Sequence, residues 1–243
     1  MTPAELADHI RKAERVAALT GAGISTAAGV PDFRGPGGLY TTGKYDHEKT
    51  FTAEGFEADP SHFFRFARDV LEASGDLEPT FTHRFLADLE RDGVLRGVIT
   101  QNIDPLHQRA GSRNVMCVHG SFATGHCTAC GREYGFDELV AAIRAAEVPR
   151  CGCDRAGVVR PDVVLFGEMV KGLDLAAELV ADCDLMLVLG SSMTVYPAAG
   201  LPELCTGLMI AVNRGPVGLP PGPGRHIVDA ELDPYFERVA EAL

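Results

Sequence analysis

Residues 16–35 read Val16-Ala17-Ala18-Leu19-Thr20-Gly21-Ala22-Gly23-Ile24-Ser25-Thr26-Ala27-Ala28-Gly29-Val30-Pro31-Asp32-Phe33-Arg34-Gly35. An unalternated apolar run ends in two glycines one residue apart. That is how a buried parallel strand hands over to a phosphate-binding turn. The first glycine reaches backbone angles closed to other residues, and the second lets the main chain approach a phosphate without a Cβ in the way. A helix after the turn would offer free N–H groups and a positive dipole end to the anion. The usual dinucleotide fingerprint is incomplete, because Thr26 stands where its third glycine would fall. No acidic residue closes a βαβ unit at the expected distance of about twenty residues. A tight strand-to-helix turn without a ligand therefore stays open beside the phosphate reading.

Working outward, similar runs recur at Val94–Thr100, Val115–Val118, Asp162–Phe166, Asp184–Leu189, Leu208–Val212 and His226–Val228. Apolar strands alternating with helical patterns predict a parallel sheet covered on both faces. The helices announce themselves by their starts. Asp59-Pro60 opens one with Phe63, Phe66, Ala67, Val70 and Leu71 on a face, Pro79 opens one carrying Phe85, Leu86 and Leu89, Leu173–Cys183 is a third, and Asp233-Pro234 starts the last. The aromatic stripes read as core rather than as a ligand box. The fold class is α/β, a doubly wound Rossmann-like parallel sheet with a small inserted domain.

At 243 residues the chain can bury a full core, and 46% apolar with 23% charged residues is ordinary for a soluble protein. A net charge of −12 without a basic run argues against a nucleic-acid surface. Thr2 and Glu5 form a capping box around Pro3, so the first residues predict an amphipathic helix with Leu6, Ile10 and Ala13 on one face, not a signal sequence. No apolar run reaches membrane-span length. A cytoplasmic protein is expected.

Two segments break the alternation. Gly35–Asp59, rich in Gly, Thr and charge, predicts a flexible flap beside the glycine turn. Residues 121–157 hold Cys127-x2-Cys130, then, after twenty residues, Cys151-x-Cys153. Two close pairs held apart by a loop can set four thiolates around one structural Zn²⁺. Disulfides and a redox CxxC are the alternatives, disfavoured by the expected compartment and by the second pair. His126 could compete as a ligand. Cys117, Cys183 and Cys205 read as buried fillers.

Polar residues gather where the strands end. Thr100 runs into Gln101-Asn102-Ile103-Asp104, Val118 into His119-Gly120, Leu189 into Gly190-Ser191-Ser192, and Val212 into Asn213. In an open α/β sheet ligands bind outside the carboxyl ends of strands. One such residue means nothing, since turns are polar anyway, and His119 taken alone could be a structural histidine.

Gly21–Ser25, the run Gly29–Gly35, Thr100–His107, His119-Gly120, the cysteine insertion, residues 160–168 and Gly190–Ser192 occur in the order of the sirtuins. By these motifs the chain resembles NAD-dependent protein-lysine deacylases, in their short bacterial-type form, over nearly its whole length. The resemblance implies a Rossmann-like part at 1–34, 76–120 and 158–243, a flap and helical part at 35–75, and a zinc-binding module at 121–157. It implies NAD as co-substrate, one structural Zn²⁺ on Cys127, Cys130, Cys151 and Cys153, and acyl-lysine peptides or proteins as partners. Gly21, Ala22 and Gly23 would hold the pyrophosphate. Ser25, Asn102, Ile103 and Asp104 would line the nicotinamide pocket, with Gln101 at its ribose. Asp32, Phe33 and Arg34 would lie on the flap over NAD. Gly190, Ser191, Ser192 and Asn213 would bind the adenosine half, with Asp229 near the adenine.

The same resemblance makes His119 the general base, with Asn102 and Asp104 also catalytic. Val164, Phe166 and Phe33 would wall the acyl-lysine tunnel, and the peptide would lie as a strand between Gly167-Glu168 and Val195-Tyr196. Relatives that take succinyl-lysine carry a Tyr-x-x-Arg pair on the helix after the flap. The matching positions are expected to be Ala67 and Val70, which predicts neutral acyl groups such as acetyl and propionyl. An ADP-ribosyltransferase on the same scaffold and a non-enzymatic NAD- or zinc-binding module are the other function classes, and product analysis separates them.

Overall fold

The computed structural model describes residues 1–30, 42–73, 77–219 and 221–243. Asp32, Phe33 and Arg34 lie outside the described residues. The chain begins with α1 (Pro3–Lys12), where Thr2 N–H donates to Glu5 Oε2 at 2.7 Å and Glu5 N–H donates to Thr2 Oγ1 at 3.3 Å. β1 (Val16–Thr20) follows, buried along its whole length. Next come α2 (His47–Phe51), α3 (Ala53–Ala58), α4 (Ser61–Ala73) and α5 (Phe81–Arg91). β2 (Leu95–Thr100), α6 (Leu106–Ala110) and β3 (Val115–Cys117) lead into β4 (Gly120–Cys127), β5 (Glu133–Gly135), α7 (Phe136–Ala145) and β6 (Val159–Val163). The chain closes with α8 (Leu173–Asp182), β7 (Leu185–Leu189), a 3-10 helix at Ala198–Leu204, β8 (Leu208–Asn213), β9 (Arg225–Asp229) and α9 (Leu232–Ala242).

Six strands pair in parallel in the order β3-β2-β1-β7-β8-β9. Strand order reverses between β1 and β7, which makes that crevice the switch point where open α/β sheets bind ligands. The register levels the strand ends there: Thr20 sits opposite Thr100 on one side and Leu189 on the other. Leu6, Ile10, Phe85, Leu86, Phe236 and Val239 from α1, α5 and α9 cover one face of the sheet. Ala176 and Val180 of α8, with Leu201, cover the other.

Three expectations are corrected. The run at Asp162–Phe166 does not join the parallel sheet. The strand there is β6, antiparallel to β4 in a three-stranded sheet ordered β5-β4-β6. Its residues alternate, with Val159, Pro161 and Val163 buried and Arg160 and Asp162 more exposed. That is the period of a strand with one buried face, whereas strands covered on both faces show continuous apolar runs. The glycine turn opens no α-helix. Two 3-10 turns, Ala22–Ile24 and Thr26–Ala28, stop at Gly29, whose φ of +95° ends the turn. Gly35–Asp59, expected as a flap, carries α2 and α3 in its described part. Asp46 Oδ1 accepts from Lys49 N–H at 3.1 Å and Thr52 Oγ1 from Gly55 N–H at 3.0 Å, so side-chain caps start both helices.

Candidate active site

The loops after β1 and β7 interlock. Gly21 N–H donates to Leu189 O at 3.0 Å and Gly23 N–H to Gly190 O at 2.8 Å. A Cβ on Gly23 would stand 2.7 Å from Gly190 Cα, and one on Gly190 would stand 2.5 Å from the Ile24 nitrogen. The missing side chains of the glycine turn are thus used first by the protein itself, to press two ligand-facing loops together.

Behind this turn lies a polar cluster drawn from two loops. Asn102, 6% exposed, donates from Nδ2 to Gly21 O at 3.2 Å and to Ser25 Oγ at 3.1 Å. Ser25 donates in turn to Asp104 Oδ2 at 2.9 Å, while Asp104 Oδ1 accepts from Leu106 N–H at 3.0 Å. Burial pushes the Asp104 carboxyl above its ordinary value, against the pull of the Leu106 N–H and the Ser25 hydroxyl. Gln101 donates from Nε2 to Ser191 Oγ at 2.8 Å, tying the β2 end to the β7 loop.

His119 stands at the end of β3, just before β4. Its Nδ1 lies 2.9 Å from Gln101 O. A carbonyl only accepts, so Nδ1 carries the proton and Nε2 of the neutral ring is left as a base. Burial lowers the pKa of this ring, partly opposed by the Gln101 carbonyl. The His119 carbonyl receives Val164 N–H at 2.9 Å, which joins the histidine to the strand returning from the small sheet. Gly120 fits this corner because a Cβ there would lie 2.0 Å from Asp162 O.

Gln101, Asn102 and His119 line one cleft of about 930 Å³, whereas Ser25 and Asp104 do not line it. Gly21, Ala22, Gly23, Gln101, Gly190, Ser191, Ser192 and Asn213 line it from the sheet edge. Val164, Phe166, Gly167, Glu168 and Val195 line it from the small sheet and the loop after β7. The Glu168 carboxylate is turned inward onto Arg160, at 2.7 and 3.0 Å, and accepts Leu165 N–H at 2.9 Å. Burial would raise its pKa, but the Arg160 hydrogen bonds and the Leu165 N–H hold it below the ordinary value. Asp229 is not brought to the cleft wall; its Oδ1 accepts Gly215 N–H at 3.2 Å and so shapes the loop after Asn213.

Sequence reasoning missed Phe51, Phe63 and Phe66, which join the cleft lining while packing in the small module's core. Core and lining positions share one helical spacing, so no sequence signal separates them. Phe63 and Phe66, rather than Ala67 and Val70, are the α4 residues that reach the cleft. Ala67 is fully buried in the module core and Val70 packs against it.

The four cysteine sulfurs of 127, 130, 151 and 153 lie within 4.8 Å of one another. Cys127 to Cys153 and Cys130 to Cys151 are each 3.9 Å. A tetrahedron of sulfurs with Zn–S of about 2.3 Å has edges of about 3.8 Å, so the set fits zinc. The separations are nearly twice a disulfide bond of about 2.05 Å. His126 is engaged elsewhere, its Nδ1 2.6 Å from Asp162 Oδ1. Cys183 and Cys205 are buried, as read from their apolar surroundings, whereas Cys117 is only half-buried at the end of β3.

A levelled glycine turn at a sheet switch point, backed by a hydrogen-bonded Asn–Ser–Asp cluster and sharing an apolar-walled cleft with a histidine, defines an α/β enzyme of the nucleotide-binding class. The profile of the Sir2 family matches residues 21–197, and the chain belongs to that family. It is 42% identical over 96% of its length to an NAD-dependent protein deacetylase of Sulfolobus acidocaldarius, covering 86% of that protein. It is 40% identical over 87% of its length to the enzyme of that name from Thermotoga maritima, again covering 86%. A solved Sir2 complex with p53 peptide and NAD⁺ superposes with a TM-score of 0.89 at 35% identity, covering 99% of this chain and 98% of that one. Another, Sir2Tm bound to a propionylated peptide, gives a TM-score of 0.87 at 34% identity with the same coverage.

Proposed function

We propose that the chain is an NAD-dependent protein-lysine deacylase. It transfers the acyl group from lysine to ADP-ribose and releases nicotinamide. The observation that carries this reading is His119, its Nε2 left as a base, in one cleft with Asn102, which is hydrogen-bonded to Ser25 and through it to Asp104. Ser25, Asn102 and Asp104, with Ile103, present donors and acceptors suited to a carboxamide leaving group. Gly21, Ala22 and Gly23 take the pyrophosphate, Gln101 the nicotinamide ribose, and Gly190, Ser191, Ser192 and Asn213 the adenosine half. Asp32, Phe33 and Arg34 complete the proposed set from outside the described residues. The part played by Asp229 is to hold the loop after Asn213.

Val164 and Phe166 wall the acyl-lysine and exclude water, so positioning supplies much of the rate. The peptide pairs its main chain with Gly167-Glu168 and Val195-Tyr196, leaving the Glu168 carboxylate on Arg160. The lysine amide oxygen bonds to the ribose carbon as the nicotinamide bond breaks. His119 Nε2 takes a proton from a ribose hydroxyl, whose oxygen attacks the resulting imidate carbon. Water then releases lysine, and the acyl group stays on ADP-ribose. Zn²⁺ on the four cysteines holds the small module together and takes no part in the chemistry. The division of the chain at 34, 75, 120 and 157 belongs to the same reading, with β6 paired into the small sheet. A cytoplasmic setting without nucleic-acid or membrane partners is part of the proposal; the −12 net charge supports it, as does the lack of a membrane-length helix among the described residues.

Incubation with an acetyl-lysine peptide and NAD should yield equal amounts of deacetylated peptide, nicotinamide and O-acetyl-ADP-ribose by mass. His119→Ala should keep NAD binding and lower turnover about a hundredfold or more, the scale of a lost general base. ADP-ribosylated peptide as the main product would move the reading to a transferase.

A further inference from the structure

Arg160 is a cation in an unfavourable place. Its side chain on β6 is only 12% exposed, its guanidinium lies 4.9 Å from the centre of the Phe56 ring of α3, and its Nε is buried without a hydrogen-bond partner. A buried cation with an unpaired N–H lowers stability, and methionine would fill the space without that loss. The two outer nitrogens make a three-point grip. Nη1 donates to Glu168 Oε1 at 2.7 Å, and Nη2 donates to Glu168 Oε2 at 3.0 Å and to Val163 O at 2.8 Å. Glu168 Oε2 also accepts Leu165 N–H at 2.9 Å, and Glu168 N–H returns to Leu165 O at 3.0 Å. The fork thus closes a turn from Leu165 to Glu168 that bends at Gly167, where φ is +95°. Phe166 N–H donates to Phe51 O at 2.8 Å and Val164 N–H to His119 O at 2.9 Å. Gly167 takes part in none of these bonds, and it lines the cleft.

We propose that Arg160 is a positioning residue for the acyl-peptide: by gripping the Glu168 carboxylate and the Val163 carbonyl at once, it sets Gly167 where the peptide main chain pairs. This rests on the peptide reading of the cleft. The guanidinium is suited to the task because its planar fork meets both carboxylate oxygens, whereas a lysine ammonium is a point charge that meets one. The grip also decides what Glu168 does. A carboxylate lining the substrate cleft of a chain with net charge −12 would, by its place alone, select basic peptides. Its oxygens are instead taken by Arg160 and the Leu165 N–H, and its charge is matched. The slot beside Gly167 is therefore indifferent, at this carboxylate, to the charge of the residues flanking the acyl-lysine.

Arg160→Lys should raise KM for an acetyl-lysine peptide about tenfold, the scale of one lost charge-assisted hydrogen bond, and the Kd of the same peptide carrying a fluorescent label should rise in step. KM for NAD and kcat at saturating peptide should each change less than about twofold. Glu168→Gln should raise peptide KM by a similar factor. Both residues act through one contact, so the double variant should match the worse single one, and a rise of about a hundredfold overturns the grip. Glu168→Gln should also act equally on peptides with Lys or Glu beside the acyl-lysine. A rise confined to the Lys peptide means that the carboxylate meets the peptide itself, and it overturns the proposal. So does a fall in kcat alone, or an equal loss of NAD and peptide affinity, either of which marks Arg160 as merely structural. Should Arg160→Lys fail to fold, seen as lost zinc, the two-peptide comparison with Glu168→Gln decides. Wild-type protein that binds the labelled peptide yet forms no product would remove the deacylase reading and leave the affinity test standing; wild-type protein that does not bind it overturns both.

Discussion

His119 lines the cleft, and its Nδ1 is spent on the Gln101 carbonyl. Burial lowers its pKa and the Gln101 carbonyl opposes the shift, so the net value lies under the ordinary 6.5. In the proposed mechanism the neutral ring is the active base. The acidic limb of kcat/KM against pH should therefore fall below about 6.5, with activity held through neutrality and lost as the ring protonates. A limb above 7 contradicts this environment. The placement of His119, Asn102 and Asp104 was legible in the sequence because each comes just after a short apolar strand, and parallel strands deliver their trailing residues to one edge. The role of Phe63 and Phe66 was not, since one face of α4 serves the core and the cleft together.

At the scale of elements, the parallel strands were legible as continuous apolar runs. β6 was misplaced because its alternation was read as one more such run, and β4 went unread because Gly120–Cys127 is rich in polar and small residues. The loop after β1 was read as a pyrophosphate turn and the loop after β7 as part of the adenosine site, yet they are one packed unit. Gly23→Ala should destabilise the protein by about 1–3 kcal/mol, since its methyl would meet the Gly190 backbone. Gly135→Ala, with φ of −72° and open space around it, should stay within about 0.5 kcal/mol. Paired urea melts check both, and equal midpoints would remove the packing argument. In the small sheet, Cys130→Ala should abolish bound zinc, measured as metal per chain, and unfold 121–157. A variant that keeps full zinc or full activity would contradict the ligand set.

For the whole molecule, substrate choice follows from which charges the cleft can meet. Arg65 Nη2 donates to Lys44 O, and Arg68 Nη1 to the carbonyls of Ala146 and Glu147, so both cations of α4 are committed away from the cleft. A succinyl carboxylate beside Phe63, Phe66 and Val164 would be desolvated without a partner. On one peptide, catalytic efficiency should be at least about tenfold higher for acetyl- than for succinyl-lysine, with propionyl close to acetyl. Succinyl in the lead would show that a cation reaches the acyl end. The pairing of β4 with β6 carries a last consequence. One leg starts at Gly120, beside His119, and the other ends at Val163, beside the residue whose N–H the His119 carbonyl accepts. The sheet works as a pair of tongs, with the cysteines riveting the far end and His119 and Val164 in the jaws. Sliding one leg past the other by a single residue would turn the jaws inside out.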